Sequence, residues 1–264
     1  MPGTRYSTTI LSFFFVGAMS IGANVAEATF HFMQIEQVMG GVNGDVSAQA
    51  IQLRMRDIGQ HFVEQGRLIA WDAAGANPVL LINIPTNLTG PSATGDRILI
   101  ATSSFASKTT PTAVPDFIMA PIPADYLPAG SLTFEDDFDT IYWRLSWGGA
   151  SYSGSTTGDS TNDDDPGFGP ADFGPPFAGS LPSERCQALQ FKGAATALST
   201  TNSADYAVTT AASVWAKYHG ASYTISLCVP AVSAWGLVVM ILTLLTAATL
   251  LIARRRSVDL GSAT

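Results

Sequence analysis

Histidine and cysteine are nearly missing from this chain of 264 residues, which holds three His and two Cys. The histidines, His31, His61 and His219, show no metal-ligand spacing, and two cysteines with three scattered histidines argue against a zinc site. No His-Glu-x-x-His, no Gly-x-Ser-x-Gly and no phosphate-cradling glycine loop occurs. Serine, aspartate and histidine are present as in any chain of this length, and a triad is defined by geometry rather than composition. Positive charge is also sparse. Residues 29–229 carry 9 Lys plus Arg against 19 Asp plus Glu, a balance of −10, so the basic footprint that nucleic acid requires is lacking. The same balance permits divalent cations and resists nonspecific association. Sustained helical periodicity is lacking between the two ends, where residues 51–62 are the most helix-tolerant window.

Long apolar runs are confined to the termini. Arg5, the apolar stretch Ile10 to Ile21 and the small-x-small triplet Ala26-Glu27-Ala28 have the order of a secretory signal. Cleavage by signal peptidase is expected after Ala28, with residues 1–28 removed. At the other end Trp235 to Ala253 holds no charge and is followed by Arg254, Arg255 and Arg256. A helix over these 19 residues reaches roughly 28 Å, close to the hydrocarbon thickness of a bilayer. A helix also satisfies its own backbone polar groups, as lipid demands. Trp235 is placed as an interfacial aromatic and the arginines mark the cytoplasmic side. The expectation is an exported chain with a single-pass membrane helix, its body outside and residues 257–264 a short cytoplasmic tail.

Pro230, Ser233, Trp235 and Gly236, the apolar helix and the arginine cluster together resemble an exosortase-type sorting tail of the IPTL-CTERM variety, related to PEP-CTERM tails. The motif here reads Val229-Pro230-Ala231-Val232-Ser233-Ala234-Trp235-Gly236. Two of its first four positions depart from the family pattern, and the chain runs on past the arginines. The resemblance implies recognition by a membrane-embedded, exosortase-type processing enzyme, with cleavage near Pro230. On that reading the protein is released or transferred after C-terminal processing.

Between the ends, apolar and polar residues alternate in short runs broken by Gly, Pro, Asn and Asp. Strands are expected over Phe30–Met39, Ala48–Met55, Leu68–Trp71, Val79–Ile82, Arg97–Ala101, Ser131–Phe134, Ile141–Trp147, Ala188–Phe191 and Tyr223–Leu227. In the second run Ile51, Leu53 and Met55 share one face, and Gln52, Arg54 and Arg56 the other, which predicts a half-buried strand. Many short strands with Gly and Pro turns indicate a β-sandwich or barrel. The organisation expected is a β-sandwich over 29–151, a Gly/Pro/Asp-rich loop over 152–183, and strands over 184–229. These last complete the sandwich or form a membrane-proximal stalk, and completion is favoured. Residues 230–256 form the sorting motif, membrane helix and Arg cluster. The segments 35–39, 49–54, 68–72 and 95–100 also resemble, loosely, the bacterial lamin-tail type of immunoglobulin-like domain. Gln52 stands where that family has an acidic residue, and Ala70 where it has glycine. The resemblance implies a β-sandwich of surface or matrix proteins, commonly without catalysis.

Cys186 and Cys228 both lie in the exported part, where disulfides form. A bond between them would close a loop of about 40 residues, for about 3–4 kcal/mol by the loop-entropy model. Asp159, Asn162, Asp163, Asp164 and Asp165 crowd hard oxygen ligands of the kind calcium needs, but the spacing is not that of an EF-hand loop. Two readings stand, a solvated acidic loop and a calcium site on Asp159, Asp163, Asp164 and Asp165. Glu135, Asp136, Asp137 and Asp139 form a second acidic run. Trp71, Trp143, Trp147 and Trp215 could stack sugars, though such residues more often belong to core and rim. The leading expectation is a noncatalytic surface β-sandwich acting in the envelope or extracellular matrix, with a surface polysaccharide or matrix protein as partner. The alternatives are a calcium-stabilised carbohydrate-binding or adhesive module, and a secreted hydrolase resting on acidic residues alone.

Overall fold

The structure, a computed structural model, describes residues 3, 30–89, 93–159, 172–209, 214–216, 221–225 and 239–249. The short alternating runs form strands throughout. In order they are β1 Met33–Met39, β2 Ala50–Met55, β3 Arg67–Trp71, β4 Val79–Asn83, β5 Arg97–Ala101, β6 Thr109–Thr110 and β7 Phe117–Ile118. They continue with β8 Gly130–Glu135, β9 Ile141–Trp147, β10 Leu189–Phe191, β11 Tyr206–Val208, β12 Val214–Ala216 and β13 Ser222–Ile225. Three sheets result, with strand orders β11-β10-β1-β2-β5-β7, β4-β3-β8-β9 and β12-β13-β6. The nine expected strands are present with ends shifted by a few residues. The residues 51–62 that tolerated a helix form all but the first residue of β2 and then a run of turns.

Period-two alternation decides which side chains meet. In β5, Ile98 and Ile100 point into a core shared with the four-stranded sheet, where they join Leu53, Leu68, Leu132, Phe134, Trp143 and Leu145. Leu99 and Ala101 point the other way, into a second cluster with Met39, Ala50, Phe105, Ala188, Tyr223 and Ile225. The six- and four-stranded sheets therefore pack face to face. The small third sheet contributes Tyr223 and Ile225 to the far side of the six-stranded one. This corrects the expectation for β2. Its polar face is covered as well as its apolar face, so Gln52 is 2% and Arg56 3% exposed.

Buried side-chain hydrogen bonds close the two seams of the sandwich. On one side, the chain after β7 crosses between sheets: Met119 N donates to Ala101 O and Ala120 N to Leu81 O. Fully buried Gln49 then clamps Ile122, accepting from its N–H at 2.6 Å and donating to its carbonyl at 3.0 Å. On the other side, Trp143 Nε1 donates to Tyr206 Oη at 2.9 Å, and the Tyr206 hydroxyl donates to Ile35 O. One phenol thus joins β9, β11 and β1.

The expected structureless loop has little to bury by composition, yet its described parts are packed. Phe173 is fully buried and packs at a tilt against Trp143 with ring centroids 5.4 Å apart. Phe177 forms a parallel bridge with Trp147. The stretch after β9 lies against the β3–β4 turn, where Ser153 N donates to Ala73 O. There a Cβ on Gly154 would come within 2.5 Å of the Gly75 Cα, so only bare backbones can approach so closely. One aromatic in a polar run suffices to anchor a segment that average composition assigns to solvent. Farther on, β10 pairs with β1 and β11 with β10, which extends the six-stranded sheet.

Residues 239–249 are helical. Among the described residues no helix is long and apolar enough to cross a membrane. The remaining residues of the expected span, with Trp235, Gly236, Pro230, Ser233 and Arg254 to Arg256, lie outside the described residues, as do Ala26 and Ala28.

The Gln49 clamp makes a direct test of the first seam. Gln49→Ala leaves the N–H and C=O of Ile122 buried without a partner, so urea unfolding should show a loss of about 3 kcal/mol. A loss under about 1 kcal/mol would mean that the seam does not depend on this side chain.

Candidate functional site

The buried ionisable groups gather in two clusters, each built by strand register. On the outer face of the six-stranded sheet, Gln34 of β1 faces Arg54 of β2, which faces Arg97 of β5. A register shift between Ile35 and Gln37 adds Glu36 to this group. Its Oε2 accepts from Arg97 Nε at 2.6 Å and from Gln52 Nε2 at 2.5 Å. Its Oε1 accepts from Arg97 Nη2 at 2.8 Å and lies 3.3 Å from Arg54 Nη1. Arg54 Nε also donates to Gln34 Oε1, and the Gln34 amide donates to the carbonyls of Ala194 and Ala197. The cluster so fastens the segment after β10 to the sheet. The hydrogen bond with Glu36 raises the Arg97 pKa, while burial lowers that of Arg54. Arg56 lies near Phe32 and Trp143, its guanidinium carbon 5.2 and 5.8 Å from their ring centroids, and donates to His31 O at 2.9 Å. Burial draws it down to about 10.

The second cluster lies on the outer face of the four-stranded sheet. Arg67 Nη2 sits 2.8 Å from Glu135 Oε1 and also binds Asp139. Trp71 Nε1 donates to Thr133 Oγ1, which donates to Glu135 Oε2 at 3.1 Å. Arg144 Nε donates to Thr157 O at 2.6 Å, drawing the stretch after β9 over the sheet. Burial pushes Glu135 above the usual carboxylate range. Two neighbouring carboxylates are the pair a glycoside hydrolase would use. Here Arg67 binds both carboxylates and Glu135 is 2% exposed.

Cys186 is disulfide-bonded, and its expected partner, Cys228, lies outside the described residues. Asp159 Oδ2 accepts from Ile141 N at 2.7 Å, so one of its oxygens holds the start of β9. Asp163, Asp164 and Asp165 lie outside the described residues. In the second acidic run, Asp136 shapes the β8–β9 turn: Oδ1 accepts from the N–H groups of Phe138 and Thr140, and Oδ2 from the Tyr142 hydroxyl. Among the described residues no three His, Cys, Asp or Glu are grouped to hold a metal ion. The four tryptophans do not make a platform, because Trp143 and Trp147 are fully buried in the core. Glu36 and Arg97 were not singled out from sequence. The signal was the polar face of β2, whose Gln52 and Arg54 need partners on the flanking strands once that face is covered.

Searches against family models, curated proteins and solved structures returned no match.

Two measurements test the electrostatics. Glu36→Gln removes the carboxylate that serves two guanidinium groups. It should cost about 2–3 kcal/mol in chemical denaturation, at the low end for a buried pair because Arg97 is partly open to water. A neutral result would mean that water replaces the ion pair. At the far end of the sheet, hydrogen bonds from Lys108 and Ser47 hold the Asp45 carboxyl down at about 2. Its contribution is present above the ordinary carboxylate pKa and is lost as pH falls through about 2. Asp45→Asn should therefore flatten the fall in thermal midpoint between about pH 4 and pH 2. An unchanged slope would assign the acid sensitivity elsewhere.

Proposed function

We propose that the protein is an exported bacterial surface protein. Its noncatalytic sandwich, immunoglobulin-like or lamin-tail-like in type, is held at the membrane by a C-terminal helix until a sorting enzyme processes it. The observation that carries this reading is the order of parts at the C-terminus: Pro230, Ser233, Trp235 and Gly236, an uncharged run to Ala253, then three arginines. The helix at 239–249 supports it. Val239, Met240, Ile241, Leu242, Leu244 and Leu245 are exposed along it, a continuous apolar surface, whereas most of the sandwich's large apolar side chains are enclosed in two cores. An apolar helix with exposed side chains is what lipid accommodates. Its threonines add to the argument, since a hydroxyl in hydrocarbon needs an internal acceptor. Thr243 Oγ1 lies 2.8 Å from Met240 O, Thr246 Oγ1 2.7 Å from Leu242 O, and Thr249 Oγ1 2.8 Å from Thr246 O. The noncatalytic reading draws on the buried acids, whose oxygens bind arginines, side-chain amides and turn N–H groups.

Deleting residues 229–264 tests the anchor. The truncated chain should appear in the medium, while the full chain partitions with membranes. Retention of the truncated chain would refute the anchor. Mass spectrometry of the mature C-terminus then separates a permanent helix from one removed near Pro230. Arg254→Ala, Arg255→Ala and Arg256→Ala combined should weaken retention or processing.

A further inference from the structure

Strand register gives the sandwich two distinguishable ends. At one, Met39 faces Ala50 and Ala50 faces Ala101. There Ile225 of β13 pairs with Thr109, just before the C-terminal tail, and packs with Met39 and Ala101. At the other end, Met33 faces Met55 and Arg54 faces Arg97. The loop over 56–66 and the β8–β9 turn lie at this second end. Arg67, which follows the loop, binds Asp139 of the turn, and Phe30 meets Phe134 edge-on with ring centroids 5.7 Å apart.

This end carries apolar side chains that the fold does not use. Phe138 is 79%, Ile58 70% and Phe62 49% exposed, and the first two are the highest values for large apolar residues in the described chain. Phe138 sits on a turn whose backbone is already held by Asp136, through the N–H groups of Phe138 and Thr140. Its ring is thus presented on a rigid loop at no gain to the core, as recognition residues on scaffold loops are. Each apolar side chain has an exposed carboxylate within two residues: Asp57 beside Ile58, Glu64 after Phe62, and Asp137 beside Phe138. Arg97 and Arg67 at this end are paired with Glu36 and with Glu135 and Asp139, so the exposed charge beside the rings is negative, and such a rim selects a partner of opposite sign. Lys and Arg side chains meet both demands, laying their stems on rings and their heads on carboxylates.

We propose that this end of the sandwich, opposite β13, is a docking surface for a protein segment that alternates basic and apolar side chains. On the surface-display reading, which supplies only the orientation, it would face away from the membrane. Loss of the anchor would leave the binding intact, so the two fail separately.

The test uses the full chain in neutral detergent micelles, with empty micelles as blank. Three labelled synthetic peptides are followed by fluorescence anisotropy: alternating Lys–Leu, Glu–Leu and Lys–Ser. The Lys–Leu peptide should bind, more weakly as salt rises, and the other two should not. Phe138→Ser combined with Ile58→Ser should weaken binding at least about tenfold with an unchanged thermal midpoint. Leu80→Ser combined with Ile118→Ser, exposed apolar sites on β4 and β7, should leave it unchanged. Equal binding of the Glu–Leu or Lys–Ser peptide, no binding of Lys–Leu, or equal loss in the two double variants would overturn the proposal.

Discussion

The six-stranded sheet is covered on both faces, and much of the rest of the structure follows from that burial. A polar side chain denied water has to find its partners inside the protein or it destabilises the fold. Gln34, Glu36, Gln52 and Arg54 lie on the face that an open sandwich would turn to solvent. They bind one another, and through the carbonyls of Ala194 and Ala197 they hold the segment after β10. A charge kept in this position is a conditional asset. The carboxylate of Glu36 is favourable only while both guanidinium groups remain, and its loss would cost more than the pair contributes.

The same economy governs the seams. A sandwich made of open sheets exposes strand edges, which have to be paired or covered. Gln49 on one side and Tyr206 on the other place a single hydrogen-bonding side chain across each gap. Both side chains are buried. Among the described residues, buried acids and arginines likewise hold strands and loops together. The unused chemical capacity lies instead at the loop tips, where Phe138 and Ile58 are presented on backbone held by other residues.

Legibility in the sequence varied with the range of the cause. The core strands were readable because alternation acts over two residues, and Ile98, Ile100, Leu132 and Phe134 announce their faces locally. The two-residue strands β6 and β7, and the late strands β11 and β12, were not expected. They are too short to carry a period, and they exist because a neighbouring strand offers an edge. Phe173 was lost in a stretch dominated by Gly, Pro and Asp, since composition averages over the one residue that anchors it. The second arginine partner of Glu36 comes from β5, 61 residues away, a distance over which no local pattern extends.

By itself the sequence determined the β character of the body, the faces of its principal strands, the absence of a basic footprint, and an uncharged C-terminal run ended by three arginines. Each depends on the order of neighbouring residues, which sterics and the hydrophobic effect read locally. Only the tertiary structure decided that β2 is buried on both sides, that Gln49 and Tyr206 close the seams, and that Trp143 and Trp147 are core rather than surface. It also decided which end carries exposed rings. Burial depends on what covers a residue, and what covers it arrives from elsewhere in the chain.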